Sequence, residues 1–129
     1  MMNEISLIGL NIKIFTEQDA LDYCQINNLN PNDLICLNIS NNSLKDISGI
    51  RIFKNLQQLY INNNYLSDIS AVQYLTELNE LFIENLLLNS NQIQYINKCK
   101  SLRFLFCRRG FSDDMNKIKK LLNKNIIII

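Results

Sequence analysis

A pattern of apolar residues and asparagine recurs after 22 residues in the middle of this chain. The first copy reads Leu34-x-x-Leu37-x-Ile39-x-x-Asn42-x-Leu44, followed by Asp46-Ile47-Ser48. The second copy reads Leu56-x-x-Leu59-x-Ile61-x-x-Asn64-x-Leu66, followed by Asp68-Ile69-Ser70. A unit of this length cannot bury its own apolar residues, so neighbouring copies must stack and share one continuous core.

Each copy of the 22-residue pattern predicts one short strand followed by one turn. Alternation places Leu37 and Ile39 on the buried face of a strand and leaves the intervening side chains on the open face. Successive strands then pair in parallel. Asn42 and Asn64 follow the strands, where a buried amide can hydrogen-bond the backbone of adjacent turns and form an internal ladder. The Asp-Ile-Ser segments predict short helical or 3₁₀ turns that pack inward, with Asp or Ser capping their starts.

The third copy is longer than the first two. It begins at Leu78 and reaches the next start, Leu102, after 24 residues, and Leu86 stands where the ladder asparagine would be. We place a two-residue insertion at Asn89-Ser90 and predict a bulged loop over 86–91. An alternative register places Leu86 and Leu88 inward on the strand, but it requires spacings of 27 and 19 residues. The inward residues of the third turn are then Ile93, Ile96 and Cys99.

The beginning of the chain predicts a cap for the repeat stack. Ile12-Lys13-Ile14 predicts a strand. Thr16 then caps a helix over 17–27, whose apolar face includes Ala20, Leu21 and Cys24.

The end of the chain predicts a second cap. The fourth copy is Leu102-x-x-Leu105-x-Cys107, with Gly110 at the ladder position. Ser112-Asp113-Asp114 then opens a helix that Asn125 ends, and Ile126–Ile129 adds a last strand. The apolar face of this helix would carry Met115, Ile118, Leu121 and Leu122. Because open repeat stacks need covered ends, we expect a complete, capped domain.

Residues 34–107 resemble the 22-residue subclass of leucine-rich repeats with L-x-D-I-S turns, which occurs in a protein phosphatase regulatory subunit and in bacterial internalins. The resemblance implies an α/β leucine-rich repeat solenoid, with a parallel sheet on the concave side, short helical or 3₁₀ turns on the convex side and helical caps at both ends. We divide the single domain 1–129 into an N-terminal cap (1–33), four repeats (34–110) and a C-terminal cap helix and strand (111–129). Small members of the wider family include adaptors in splicing particles, dynein arms and nuclear regulators, so the resemblance implies a binding role.

The open face of the predicted sheet carries aromatic side chains with charged neighbours. Parallel strands lie about 4.8 Å apart, so Tyr60, Phe82 and Phe106 should form a contiguous column. Exposed aromatic and arginine side chains are typical of interface hot spots. The alternative is that the rings pack only on one another. The predicted partner-binding residues are Gln58, Tyr60, Asn62, Glu80, Phe82, Glu84, Phe104, Phe106, Arg108 and Arg109.

Charge is unevenly distributed along the chain. Residues 1–96 carry a net charge of −6 and residues 97–129 a net charge of +7. Phe104 and Phe106 lie among the cations, and rings with basic neighbours suit single-stranded RNA. The competing interpretation, which we favour, is a solvated face of the capping helix. The residues predicted for contact with RNA or an acidic partner are Lys98, Lys100, Arg103, Lys117 and Lys120.

Several classes of function find no support in the composition. The four cysteines have no C-x-x-C spacing and the chain has no histidine, which argues against a metal site. Glu80 and Glu84 have no nucleophile near them, and the three glycines form no phosphate loop, so we expect neither catalysis nor a cofactor. The chain start lacks a basic region followed by a long apolar core, and no apolar run approaches the roughly 20 residues that span a bilayer. We therefore expect a monomer of the cytoplasm or nucleus without membrane contact.

The sequence thus predicts a non-enzymatic protein–protein interaction module, an adaptor or scaffold that binds its partner on the concave face. The alternative is a ribonucleoprotein subunit that contacts RNA or an acidic partner through the basic C-terminal third. A phosphatase-type regulatory subunit is a third hypothesis, which rests on the resemblance alone.

Overall fold

The computed structural model describes residues 3–129. Its six short strands form one parallel sheet in chain order, so each strand pairs with the next along the sequence. The strands are β1 (Glu4–Ser6), β2 (Cys36–Asn38), β3 (Gln58–Tyr60), β4 (Glu80–Phe82), β5 (Phe104–Phe106) and β6 (Ile127–Ile128). The α-helices are α1 (Glu17–Ile26), α2 (Ile93–Ile96) and α3 (Met115–Leu121). The predicted α/β solenoid is confirmed.

The middle residues of the strands form the spine of the core. Leu37, Leu59, Leu81 and Leu105 stand beside one another in register, and each is fully buried. Side chains on either side of these leucines are half-buried in β2 to β5. The repeat spacing therefore predicted both the register of the sheet and the face that it leaves open.

The convex side is made of short 3₁₀ turns, which the two Asp-Ile-Ser segments predicted at their own positions. They span Pro31–Asp33, Ser48–Ile52, Ser70–Tyr74 and Ser90–Gln92. Each Asp-Ile-Ser segment starts its turn in the same way, because the aspartate carboxylate accepts a hydrogen bond from the amide two residues later. The distances are 2.7 Å from Ser48 N to Asp46 Oδ1 and 2.7 Å from Ser70 N to Asp68 Oδ1.

The predicted asparagine ladder is present after β2 and β3. Asn42 Oδ1 accepts from the amides of Leu10 and Ile12 at 2.9 and 3.0 Å. Asn64 Oδ1 accepts from Leu44 N at 3.1 Å, and its Nδ2 donates to Ile39 O at 3.1 Å. Each amide thus ties its own turn to the preceding one, which fixes the path of the chain as it leaves the sheet.

The N-terminal cap differs from the prediction in its strand. The edge strand is β1, whose Ile5 pairs with Leu37, whereas Ile12-Lys13-Ile14 forms only an isolated bridge from Ile14 to Asp46. The predicted cap of α1 is confirmed, since Thr16 Oγ1 accepts from Asp19 N and Asp19 Oδ2 accepts from Thr16 N. Within α1, Ala20 and Cys24 are buried as predicted, but Leu21 is 43% exposed.

The third repeat contains the predicted insertion in a different conformation. Leu86 and Leu88 are buried while Leu87 between them is 63% exposed. The extra residues do not bulge as a loop: they form the 3₁₀ turn Ser90–Gln92, which continues into α2. Asn89 Oδ1 caps that turn by accepting from Asn91 N at 2.9 Å. The predicted inward residues of this repeat, Ile93, Ile96 and Cys99, are buried.

The C-terminal cap consists of α3 and β6. Asp114 Oδ1 accepts from Lys117 N at 3.0 Å and caps the helix, but the helix ends at Leu121 and not at Asn125. Ile118 and Leu122 are buried as predicted, whereas Met115 and Leu121 are 36% and 46% exposed. The helix therefore covers the core with a narrower apolar stripe than its sequence predicts.

Candidate functional site

The open surface of the sheet is formed by the side chains on either side of the buried strand centres. We call it the concave face and define it by three rows that run across the strands. The first row is Glu4, Cys36, Gln58, Glu80, Phe104 and Ile127. The second row is Ser6, Asn38, Tyr60, Phe82 and Phe106, with Ile129 following β6. The third row, at the carboxyl ends of the strands, is Ser40, Asn62, Glu84 and Arg108.

Three rings of the second row stack on one another as predicted. The ring centroids of Tyr60 and Phe82 are 3.9 Å apart with an interplanar angle of 13°. Those of Phe82 and Phe106 are 4.1 Å apart with an angle of 8°. These distances are shorter than the strand spacing of about 4.8 Å, so the rings are in full contact. Each ring keeps one edge toward solvent, because all three residues are half-buried.

The first row places carboxylates beside the rings. Gln58 Nε2 donates to Glu80 Oε2 at 3.4 Å, so these two predicted residues meet across β3 and β4. Burial raises the pKa of the Cys36 thiol, and Glu4 and Glu80 raise it further. Burial also raises the pKa of the Tyr60 phenol, with contributions from Cys36, Glu80 and Glu4. These side chains therefore share one electronegative environment in which both the thiol and the phenol stay protonated at neutral pH.

Two side chains of the third row form hydrogen bonds with the backbone of the next repeat. Ser40 Oγ accepts from Asn62 N at 3.1 Å, and Asn62 Oδ1 accepts from Glu84 N at 2.6 Å. Asn62 therefore positions Glu84 through the backbone, which limits its own side chain as a contact for a partner. Glu84 is half-buried and Arg108 is exposed beside it.

The exit edge of the face carries a second asparagine series that the repeat pattern did not predict. Asn41, Asn63 and Asn85 have left-handed backbones with φ of 57°, 54° and 59°. Asn63 Nδ2 donates to Asn41 Oδ1 at 2.6 Å and Asn85 Nδ2 donates to Asn63 Oδ1 at 2.6 Å. Asparagine tolerates this conformation better than other residues with a side chain, which is the signal that would have found the series. Arg109 continues it with φ of 54°.

The predicted basic residues do not gather on the concave face. Arg103 precedes β5 while Arg108 and Arg109 follow it, so they lie at opposite ends of that strand, about 16 Å apart along the chain. Lys98 lies by the convex turns, where its Nζ donates to Gln73 Oε1 at 3.3 Å. Lys117 pairs with Asp113 on α3 at 3.6 Å. Lys100 and Lys120 are exposed elsewhere.

Both ends of the concave face hold residues that the sequence analysis missed. Glu4 and Ser6 are exposed on β1. At the other end, Ile127 and Ile129 are 48% and 59% exposed, and Ile127 stands in register with Phe104. The alternation of Glu4-Ile5-Ser6 was the available signal at the first end. The face is therefore polar toward β1 and apolar toward β6.

On the convex side, side chains that line surface depressions contact one another. One cluster there involves Arg51, whose Nε lies 3.6 Å from Glu17 Oε2 and whose guanidinium lies 4.9 Å from the centroid of the Tyr74 ring. Within residues 3–129, no group of three or more histidine, cysteine or acidic side chains is arranged to hold a metal ion. In the same part of the chain, no helix has the length and apolarity required to cross a membrane.

The four cysteines are free thiols, and three of them are buried. Burial raises the pKa of Cys99 to about 12. Burial, together with Glu84, raises the pKa of Cys107 to about 11. Cys99 Sγ lies 3.2 Å from Val72 O, to which it donates. A protonated thiol is thus part of the packing between the convex segments of the second and third repeats.

We expect the free energy of unfolding to fall as the pH rises from about 9 to about 12. The unfolded Cys99 thiol ionises near its ordinary value of 9.0, whereas the folded thiol stays protonated up to about 12, so alkali favours the unfolded state. Urea midpoints at about pH 8 and pH 10 measure this for the wild type and for Cys99→Ala. The variant should start lower but lose less between the two pH values. Equal losses in both proteins would show that the buried thiol has no such effect.

Comparison with known proteins identifies two of the repeats. Residues 33–74, which include β2, β3 and the two Asp-Ile-Ser turns, match the family profile described as leucine-rich repeats in two copies. None of the curated proteins compared with this chain matches it. Together with the six-stranded parallel sheet, the profile match shows a leucine-rich repeat solenoid. Leucine-rich repeat domains generally mediate protein–protein interaction and are typically without enzymatic activity.

Proposed function

We propose that this protein is a non-enzymatic adaptor or scaffold that binds a partner protein on its concave face. The observation that carries the proposal is the stacked column of Tyr60, Phe82 and Phe106, which lies open to solvent on a surface that the core does not need. Phe104, Ile127 and Ile129 widen the column toward β6. A bound protein would cover these side chains and remove their apolar area from water.

The surrounding polar side chains would orient the partner. Gln58, Glu80 and Glu84 flank the rings, and Arg108 and Arg109 lie beyond Glu84 at the exit edge. Charged groups at the rim of an interface set register and selectivity more than affinity. We therefore assign the rings to binding energy and the charged residues to orientation.

Removal of two rings tests this assignment. We expect the double variant Tyr60→Ala/Phe82→Ala to recover at least about tenfold less partner protein from a native lysate than the wild type, because buried aromatic anchors dominate such interfaces. The variant loses the contacts of two stacked pairs, each worth up to about 1 kcal/mol, so it should remain folded. Quantitative mass spectrometry of the captured proteins, with and without nuclease, provides the measurement.

The matched control is Tyr65→Ala/Tyr74→Ala. These tyrosines are 69% and 50% exposed and lie away from the concave face. The control should recover the partner as well as the wild type does. The proposal fails if the ring variant keeps its partner while its thermal midpoint drops, since the column would then serve only the fold.

A second candidate function is contact with RNA or an acidic partner through the basic C-terminal third. The exposed cations of α3 and of the segment before β5 support it, among them Lys100, Arg103 and Lys120. We rank it second because these cations occupy separate faces and the carboxylates of the first and third rows repel phosphate. Capture that survives the ring substitutions but is lost after nuclease treatment would favour this function.

Several finer assignments belong to the same proposal. We assign the repeats to the 22-residue L-x-D-I-S subclass, since Leu37, Leu59 and Leu81 follow that interval and two aspartates start the turns alike. We treat residues 1–129 as one domain with the boundaries given above, monomeric when alone. The four free thiols favour a reducing compartment, so we place the protein in the cytoplasm or nucleus.

A further inference from the structure

We propose that the segment bound on the concave face is a single amphipathic α-helix that carries lysine or arginine beside its apolar stripe. The inference rests on the proposed function, because it identifies the partner of that same face. Four observations support it: the size of the face, the state of its backbone, the direction of the aromatic column and the unpaired carboxylates beside it.

The dimensions of the face suit a narrow, elongated partner. Six strands spaced about 4.8 Å apart span roughly 24 Å, and the three rows of side chains cover roughly 13 Å along the strands. The footprint in projection is therefore about 300 Å², elongated across the strands, which suits a narrow partner. A helix is about 10 Å wide, and roughly 16 of its residues cover 24 Å. One helix laid across the strands therefore fits the face in both directions.

The backbone of the sheet favours a helix over an extended segment. The strand amides and carbonyls already pair with neighbouring strands, for example Gln58 N with Ile35 O at 3.0 Å and Ile39 N with Tyr60 O at 3.0 Å. An extended peptide lying on this face would find no backbone partners and would bury its own polar groups at a cost. A helix satisfies its backbone internally and needs only side-chain contacts.

The aromatic column runs in the direction that such a helix requires. Tyr60, Phe82, Phe106 and Ile129 follow one another from β3 to β6, perpendicular to the strands. Three apolar side chains at i, i+4 and i+7 of a helix span about 10 Å. That stripe would lie along the column, and the helix would extend over the polar residues Asn38 and Ser6 toward β1.

The charge beside the column specifies basic flanks. Glu80, in β4, and Glu84, just after it, lie on either side of Phe82. Within residues 3–129 neither carboxylate takes part in an ion pair. A helix seated on Phe82 would desolvate both carboxylates, which is unfavourable unless cations meet them. Glu4, in the first row, brings the number of negative charges on the concave face to three. Arg108, in the third row, would accept an acidic residue where the helix passes β5.

A display selection tests the inference. The probe is a library of helical peptides of about 18 residues, with leucine at i, i+4 and i+7 and with lysine or glutamate varied at the flanking positions. The target is the full chain, immobilised. We expect lysine to be enriched over glutamate by about tenfold at the flanks, the factor that corresponds to about 1.4 kcal/mol. On Glu80→Lys/Glu84→Lys the preference should reverse to glutamate.

The controls separate this inference from the proposed function. Glu77→Lys/Asp22→Lys changes the net charge equally at exposed positions off the concave face and should leave the lysine preference intact. If Phe82→Ala enriches the same peptides as the wild type, or if the flanks show no lysine preference, the inference is wrong. A lysate partner that still depends on Phe82 would then leave the proposed function standing with a different occupant. If the wild-type chain enriches no peptide of the library, the inference that a helix occupies the face is also wrong.

Discussion

Replacement of Gly49 by alanine is expected to lower the free energy of unfolding by about 3 kcal/mol or more. A Cβ at this position would overlap Thr16 O and lie 2.8 Å from Phe15 O. Both atoms belong to the backbone that leads into α1, so no flexible side chain can give way. The same backbone accepts a hydrogen bond of 2.7 Å from Gly49 N to Phe15 O, which holds the cap against the turn Ser48–Ile52.

The matched control for this substitution lies one repeat later. Ala71 occupies the equivalent position, and there a methyl group is accommodated with the side chain buried. Ala71→Gly should cost no more than about 1 kcal/mol, the usual effect of glycine inside a helical turn. Urea unfolding of both variants, followed by circular dichroism, measures the difference. Similar losses in the two proteins would contradict the close approach of the cap to Gly49.

The sequence predicted the central sheet correctly because the same 22-residue pattern occurs in two closely matching copies. Leu37 and Leu59 occupy equal positions in two copies, so their register follows from the interval alone. The position of Tyr60 beside Phe82 is a consequence of the same register, which is why the aromatic column could be predicted before any coordinates. The contact of the rings, at 3.9 Å, depends on rotamers that the interval does not specify.

The 22-residue spacing could not predict strands that lie outside the regular repeats. Helix α1 separates Ile5 from Leu37 by more than one repeat, so β1 escaped the pattern although its residues alternate like the other strands. Ile12-Lys13-Ile14 alternates equally well, yet Ile14 is 54% exposed. What decides between them is the neighbour in space, since Leu7 N donates to Asn38 O at 2.8 Å and continues the pairing of β1 with β2.

The ends of the concave face were missed for the same reason. Ile127 and Ile129 reach it only because α3 folds back and delivers β6 beside β5. Helical periodicity assigned Leu121 to the buried stripe of α3, but the core beneath that helix is narrow and only Ile118 and Leu122 are covered. Local patterns identify which residues are apolar, whereas the partner that buries them is set by the tertiary fold.

Replacement of Asn64 by leucine is expected to lower the free energy of unfolding by about 4 kcal/mol. The side chain is 5% exposed. Its Oδ1 accepts from Leu44 N at 3.1 Å, and its Nδ2 donates to the carbonyls of Ile39, Ile61 and Asn62 at 3.1 to 3.2 Å. Leucine has a similar volume but cannot make these bonds. Ile39 O and Asn62 O keep other donors, whereas Leu44 N and Ile61 O lose the amide, at about 1 to 3 kcal/mol for each buried group left without a partner.

The third repeat shows what the chain requires when leucine stands at this position. Leu86 replaces the ladder asparagine there, and Leu87 after it adopts a left-handed backbone with φ of 52°. The lengthened turn that follows supplies Gln92, whose Oε1 accepts from Ile69 N at 2.9 Å. The second repeat has neither the extra residues nor such a glutamine, so the surroundings of Leu86 are not available to Asn64→Leu.

Urea unfolding of Asn64→Leu and of Asn55→Leu tests the role of the ladder amide. Asn55 is an exposed asparagine whose Nδ2 donates to Asn32 O at 2.8 Å, and its replacement should cost less than about 1 kcal/mol, as is usual for a surface position. Amide hydrogen exchange gives a second measurement, because faster exchange in the ladder variant should centre on Leu44 N, the donor that loses its acceptor. If both variants unfold at the same urea concentration as the wild type, the ladder contributes nothing to stability, and the path of the chain out of β3 must be fixed by the parallel pairing and the apolar core alone.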